Sequence, residues 1–311
     1  MAAPTGASAD PHRYASSPEL PIPDEALSLF RTSSYLSSLS TTALVQHIIQ
    51  TRDQVFPHAP YPCLGSFRFL MPAIHTCGPQ GTYKALLAHL KSRAGGEEAG
   101  APPKKHLDLG CAMGQDTRRL IVDGVPSDRL VAADLSKDLM DAGHAMYDDA
   151  SARERIGGTK WLVCDVFDEQ HVQRVRDEAR EDGGGYGSIY IGSFLHLFDL
   201  DEQKSIVKTL DGLLSHHPAS QILGRQVGLP LGRSVEEKQG KWKGNQSTDR
   251  AYRHDIESFK QLWGRDWDVY VEEEDFGGRY GDGDVASRGS TADHATKRLL
   301  FRIVRKSHQN V

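Results

Sequence analysis

The chain has 311 residues, 38% hydrophobic and 25% charged, with a formal net charge of −5. That length suits one large domain or a domain with an added segment, and an acidic balance without basic runs argues against a nucleic-acid binder. Cys63, Cys77, Cys111 and Cys164 are scattered, with neither a disulfide framework nor the spacing of a metal site.

Residues 1–23 are rich in Ala, Pro and Ser and lack an apolar core. They read as a disordered tail, neither signal peptide nor membrane anchor, which makes the expected location cytoplasmic with no membrane partner. From Asp24 to about Arg93 the pattern is helical: Leu44, Val45, Ile48 and Ile49 form one apolar stripe, and Tyr83, Leu86, Leu87 and Leu90 another. The Gly- and Pro-rich run 95–103 ends this helical cap, so the expected division is a tail (1–23), a cap with linker (24–103) and a cofactor domain (104–311).

Past the linker, strands and helices alternate. Strands are expected at 105–109, 129–134, 160–164, 187–193 and 220–227, with helices at 114–123, 136–147, 169–180 and 201–214. Apolar strands separated by helices predict a parallel sheet covered on both faces. Helix 201–214 turns Ile206, Leu210, Leu213 and Leu214 inward. A helix at 254–264, carrying His254 and Trp263, precedes a strand at 267–273, and a last strand covers 299–304. Two connections have loop composition: 228–250, expected as a lid, and 275–296, expected as a disordered insertion.

The first strand runs into a small-residue loop at Gly110, Ala112 and Gly114, and the second ends in Asp134 some twenty positions later. This is the general arrangement for cradling a nucleotide-like cofactor. The third strand, Trp161-Leu-Val-Cys-Asp165-Val166, also ends in Asp.

Asp108-x-Gly-x-Ala-x-Gly114 resembles motif I of class I S-adenosylmethionine (SAM) methyltransferases. The resemblance implies a Rossmann-like α/β fold: a seven-strand, mostly parallel sheet with an antiparallel last strand, and here a helical N-terminal cap. It implies SAM as cofactor. Asp108 would then face the ammonium group, the Gly110–Gly114 loop the carboxylate, Asp134 the ribose hydroxyls and Asp165 the adenine amino group. Leu135 and Val166 are counted to the same cofactor site.

Further segments are similar to fungal secondary-metabolism methyltransferases that form methyl esters in austinol- and andrastin-type meroterpenoid pathways. They are Tyr61-Pro-Cys-Leu-Gly-Ser-Phe-Arg-Phe-Leu70, Leu107–Asp116, Arg119–Gly124, Ser193-Phe-Leu-His-Leu-Phe-Asp199 with Gln203, Gly224–Gly228, and Tyr252–Phe259 with Trp263. That family commonly carries a second Cys where this chain has Ala112. The resemblance implies an O-methyltransferase acting on a hydrophobic small-molecule natural product, with no metal.

A carboxylate acceptor is already ionised near pH 7, whereas a phenol, with a reference pKa of about 10, usually needs a base. His196, just past the fourth strand, is the candidate base or positioner. Arg225, after the fifth, is the candidate anchor for a substrate carboxylate, and Arg68 could serve the same role from the cap. Phe67, Phe69 and Phe198 suit either an apolar pocket or the core. A hydroxyl acceptor, a SAM-retaining pericyclase or isomerase, and a regulatory interaction protein stay open as alternatives, as does the oligomeric state, a homodimer included.

Overall fold

Two serines start the N-terminal helices. Ser33 accepts the Leu36 N–H at 3.1 Å and Ser40 accepts the Ala43 N–H at 3.2 Å, each meeting a donor that a helix start leaves free. Together with an uncapped first helix these make α1 (Asp24–Phe30), α2 (Ser34–Ser38) and α3 (Thr41–Val55), followed by the short α4 (Pro62–Gly65) and by α5 (Thr82–Lys91). The computed structural model describes residues 20, 22–65, 67–92, 103–180, 184–238, 250–275 and 296–306. The expected tail, apart from residues 20, 22 and 23, and the 275–296 insertion, apart from its two end residues, lie outside these.

The alternating region gives β1 (His106–Leu109), α6 (Gln115–Val122), β2 (Leu130–Asp134), α7 (Lys137–Met146), α8 (Arg153–Ile156), β3 (Lys160–Val163) and α9 (Glu169–Asp177). It continues through β4 (Ser188–Gly192), α10 (Leu200–Leu213) and β5 (Gln221–Gly228). After these come β6 (Val235–Lys238), β7 (Arg250–Arg253), α11 (Ile256–Trp263), β8 (Trp267–Asp275) and β9 (Lys297–Arg305). The seven-stranded sheet has the order β3-β2-β1-β4-β5-β9-β8. β1 to β5 run parallel, and β9 inserts antiparallel to both β5 and β8. The fold class expected from the sequence is therefore the one observed. Strand order reverses between β1 and β4, which opens a crevice at the carboxyl ends of the strands.

Both faces of the sheet are covered, so its central strands β1, β2 and β4 are buried almost throughout. Leu107, Leu109, Val131, Ala133, Ile189, Ile191 and Ile222 share one core with Val172 and Val175 of α9, Ile206, Leu210 and Leu213 of α10, and Phe259 and Trp263 of α11. On the other face Leu130, Tyr190 and Leu223 meet Leu86 and Leu90 of α5 and Leu120 of α6. The last helix of the expected cap thus closes the sheet itself. The remaining cap helices bury Leu44, Ile48, Phe67 and Phe69 against Met113, Leu139, Met146 and Tyr147.

Two local expectations are corrected. The stretch 228–250 is not all loop, because β6 pairs antiparallel with β7; its middle, 239–249, lies outside the described residues. His254 does not lie on α11, because the Asp255 side chain accepts the Ser258 N–H at 2.8 Å and starts the helix after it.

Candidate functional site

The β1–α6 loop turns through three left-handed residues, Gly110 (φ 77°), Ala112 (φ 49°) and Gly114 (φ 72°). Two of these cannot carry a side chain. A Cβ on Gly110 would lie 2.6 Å from the Phe194 ring, and one on Gly114 would lie 2.5 Å from the Trp161 ring. Ala112 is fixed from β2: its N–H donates to Asp134 Oδ2 at 2.8 Å, and the Ser136 N–H donates to Oδ1 at 2.8 Å. Burial raises the Asp134 carboxyl and those two N–H groups oppose it. The carboxylate is half-buried at the strand end and keeps lone pairs for a ligand's hydroxyls.

Around it the carboxyl ends of β2 and β3 leave apolar side chains in the open. Leu135 is 43% exposed and Phe167 is 42% exposed, an uncommon state for large apolar residues beside a folded sheet. Asp165 stands two residues past the end of β3, with Oδ1 receiving the Phe167 N–H at 3.0 Å. Val166 is buried in the sheet core, so it offers a ligand only its backbone. Asp108 is also buried; its Oδ2 accepts the Thr117 hydroxyl at 2.7 Å. The seven residues expected at the cofactor site are thus gathered at the ends of three adjacent strands.

His196 lies in a 3-10 turn, Leu195–Leu197, directly after β4 and is half-buried. The Ser193 N–H donates to the Arg225 carbonyl at 2.7 Å, so the turn starts beside β5. The Arg225 side chain is half-buried and, among the described residues, has no hydrogen bond or ion pair; its charge bears on Asp116, His75, Tyr190 and Cys63. Arg68, from the cap, also bears on Cys63. The two arginines named from the sequence therefore both bear on Cys63. Phe67, Phe69 and Phe198 are buried in the cores.

Two residues shape this site without having been assigned a role from the sequence. Asp116, in the first turn of α6, accepts the backbone N–H groups of Ala73 and Ile74 and so ties the cap to the start of α6. Gln203, fully buried on α10, spends both amide hydrogens on the carbonyls of Phe198 (3.0 Å) and Tyr252 (2.8 Å). Its oxygen must then accept from His254 Nε2 at 3.1 Å, which leaves Nδ1 to accept the Ser258 hydroxyl at 3.0 Å. Burial lowers His254 to about 4, in keeping with this neutral tautomer. With the Tyr252 N–H on the Phe198 carbonyl at 2.8 Å, Gln203 fastens β7 to the His196 turn. A Gln in an otherwise apolar stripe with Ile206, Leu210 and Leu213 was the available signal.

Known proteins share this architecture in sequence as well. A family described as the meroterpenoid methyltransferase N-terminal domain matches residues 14–70. The chain is 33% identical over 227 residues to the asnovolin E/chermesin D methyltransferase nvfJ of Aspergillus novofumigatus, covering 73% of this chain and 71% of that protein. It is 32% identical over 244 residues to the O-methyltransferase phiE of a fungal species, covering 76% and 72%. It is 29% identical over 229 residues to the methyltransferase prhM of Penicillium brasilianum, covering 73% and 71%. Relatedness at this level and over this span, on a sheet of the order found here, means that the chain belongs to the fungal meroterpenoid methyltransferase family.

Proposed function

We propose that the chain transfers a methyl group from SAM to a carboxylate of a hydrophobic natural product, giving a methyl ester. The carrying observation is Arg225: it lies within β5 rather than after it, level with Gly192 at the end of β4 and beside the His196 turn, and its half-buried guanidinium has no ion pair among the described residues. A half-buried guanidinium with no hydrogen bond or ion pair keeps its donors for a ligand, and an acceptor carboxylate matches them in charge and geometry. One oxygen can take the guanidinium while the other stays free to react.

The residues present fit the cofactor. Gly110 and Gly114 hold the left-handed turn at the end of β1, Asp134 is only half-buried at the end of β2, and Leu135 and Phe167 offer open apolar surface for a flat ring. When bound, SAM supplies a methyl on a sulfonium whose departure as a neutral thioether needs no acid. In this reading Asp134 holds the ribose, Asp165 the adenine amino group, and the N–H groups opening α6 the ligand carboxylate. Asp108, whose carboxyl burial pushes well up, gains the cation it lacks from the ligand ammonium. A carboxylate acceptor arrives ionised, so His196 orients it and no proton has to move.

The test is the alkali lability of the product. The protein is incubated with methyl-labelled SAM and a panel of terpenoid carboxylic acids and terpenoid phenols. Label released as volatile methanol by mild alkali supports the ester. Label that withstands alkali identifies an ether and a hydroxyl acceptor.

A further inference from the structure

Arg118, on the second turn of α6, is among the least exposed charged residues of the chain, at 3%. Its guanidinium is enclosed on every side. Nε donates to Asp149 Oδ1 at 3.1 Å and Nη2 to Asp149 Oδ2, a two-pronged fork onto one carboxylate. Nη1 donates to the backbone carbonyls of Met113 at 2.6 Å and Gly114 at 3.0 Å. The two faces of the group are covered by aromatic rings, Tyr147 with its centroid at 4.6 Å and Trp161 at 4.8 Å. His144 braces one of the same two oxygens, its Nδ1 lying 2.6 Å from Asp149 Oδ2. Burial works against the charge on Asp149, but His144 and Arg118 more than offset it and hold the carboxyl below its usual range.

This assembly ends on the cofactor loop. In a trans peptide the C=O and the following N–H point in opposite directions. Holding the Gly114 carbonyl toward Arg118 therefore turns the Gln115 N–H, one of the free donors at the start of α6, the other way. The same contact explains Gly114, since a Cβ there would lie 2.7 Å from Arg118 Nη1 as well as against the Trp161 ring. α7 closes the loop from behind, because Gly143 brings its backbone against Met113, where a Cβ would stand 2.1 Å from the carbonyl oxygen.

We propose that Arg118 is a positioning residue for methyl transfer: it fixes the peptide planes at Met113 and Gly114, and through them the donors that meet the cofactor. The assignment rests on the cofactor reading above. A lysine cannot replace it, since one ammonium cannot fork onto Asp149, reach two carbonyls and stack between two rings.

The test uses the full chain and S-adenosylhomocysteine (SAH) as the probe, titrated by calorimetry well below the melting temperature of each variant. Arg118→Lys should lose about tenfold or more in affinity. Leu210→Ala, which weakens the core on the opposite face of the sheet, should bind as the wild type does, separating positioning from general destabilisation. If Arg118→Lys does not fold, Asp149→Asn decides, with a loss of about threefold or more as the fork loses its charge. Unchanged affinity in the deciding variant, or an equal loss in Leu210→Ala, overturns the assignment while leaving the cofactor reading standing. A wild-type chain that takes up no SAH overturns both.

Discussion

Asp116 and Ile74 stand 42 positions apart in sequence, yet the Ile74 N–H donates to the Asp116 carboxylate at 2.8 Å, with the Ala73 N–H on the same oxygen. All three residues are buried. One carboxylate joins the segment ahead of α5 to the helix that opens at the glycine loop. Asp116→Ala should cost about 2–4 kcal/mol of unfolding free energy, because two buried donors are left unmet. Asp116→Asn keeps one acceptor oxygen and should cost clearly less. Urea denaturation measures both, and equal losses in the two variants would rule out a hydrogen-bonded latch.

Asp108 should carry a pH dependence. Burial first, then the charge of Asp116, push its carboxyl up to about 8, with the Thr117 hydroxyl opposing them. A raised folded value means that the native chain keeps a proton which the unfolded chain gives up. This term is therefore harmless below the unfolded value of about 4, and stability falls as pH climbs from there toward 8. Asp108→Asn should remove that slope and melt higher than the wild type at pH 8. Parallel pH profiles for the two proteins would reject the assignment.

The Gln203 tie predicts a local effect. Gln203→Leu strands the Tyr252 carbonyl and the His254 N–H, leaves the Phe198 carbonyl to the Tyr252 N–H, and should cost roughly 2–4 kcal/mol. Hydrogen exchange should speed up at Arg250–Arg253, with SAH affinity unchanged. His254 adds a sign of its own: its folded value of about 4 lies below the unfolded value, so it favours the fold above about 6.5 and that contribution is lost as pH falls toward 4. Exchange at β7 equal to that of the wild type would place the hairpin's anchorage elsewhere.

Arg225 and His196 distinguish the two acceptor chemistries. With a carboxylate acceptor the rate should stay nearly flat from about pH 6 to 9, far above the carboxyl reference value. Arg225→Ala should raise KM for the acceptor about tenfold or more and leave SAH affinity alone. His196→Ala should cost less than the roughly 10²–10⁴-fold typical of a lost general base. A rate that climbs through an ionisation near 7 and collapses in His196→Ala would assign a hydroxyl acceptor instead.

The strand ends that gather the expected cofactor residues were legible because their signals are local: each of three strands has an Asp within two residues of its end, and the small residues fall in the turn between two elements. Arg225 and His196 could be placed by counting strands. Asp116, Gln203 and Arg118 could not be assigned, because their partners lie 42, 49 and 31 positions away. Each also has an ordinary local explanation: an acid in a first helical turn, a polar residue on a helix, an arginine among charges. The β6–β7 pairing was hidden for another reason. Four-residue strands in a charged, Gly-rich stretch show too little alternation to stand out from loop, and His254 looked helical because nothing but the Asp255 cap separates it from α11.

The place of α5 limits how this chain can be cut. Leu86 and Leu90 share a core with Leu130, Tyr190 and Leu223, so they belong to the sheet although they precede the Pro-rich segment that looks like a boundary. A fragment starting at 104 would present a bare apolar sheet face to water and should aggregate rather than fold. Exchanging the N-terminal region between relatives in order to move acceptor preference should therefore join ahead of Ile74, carrying α5 along with the sheet it covers.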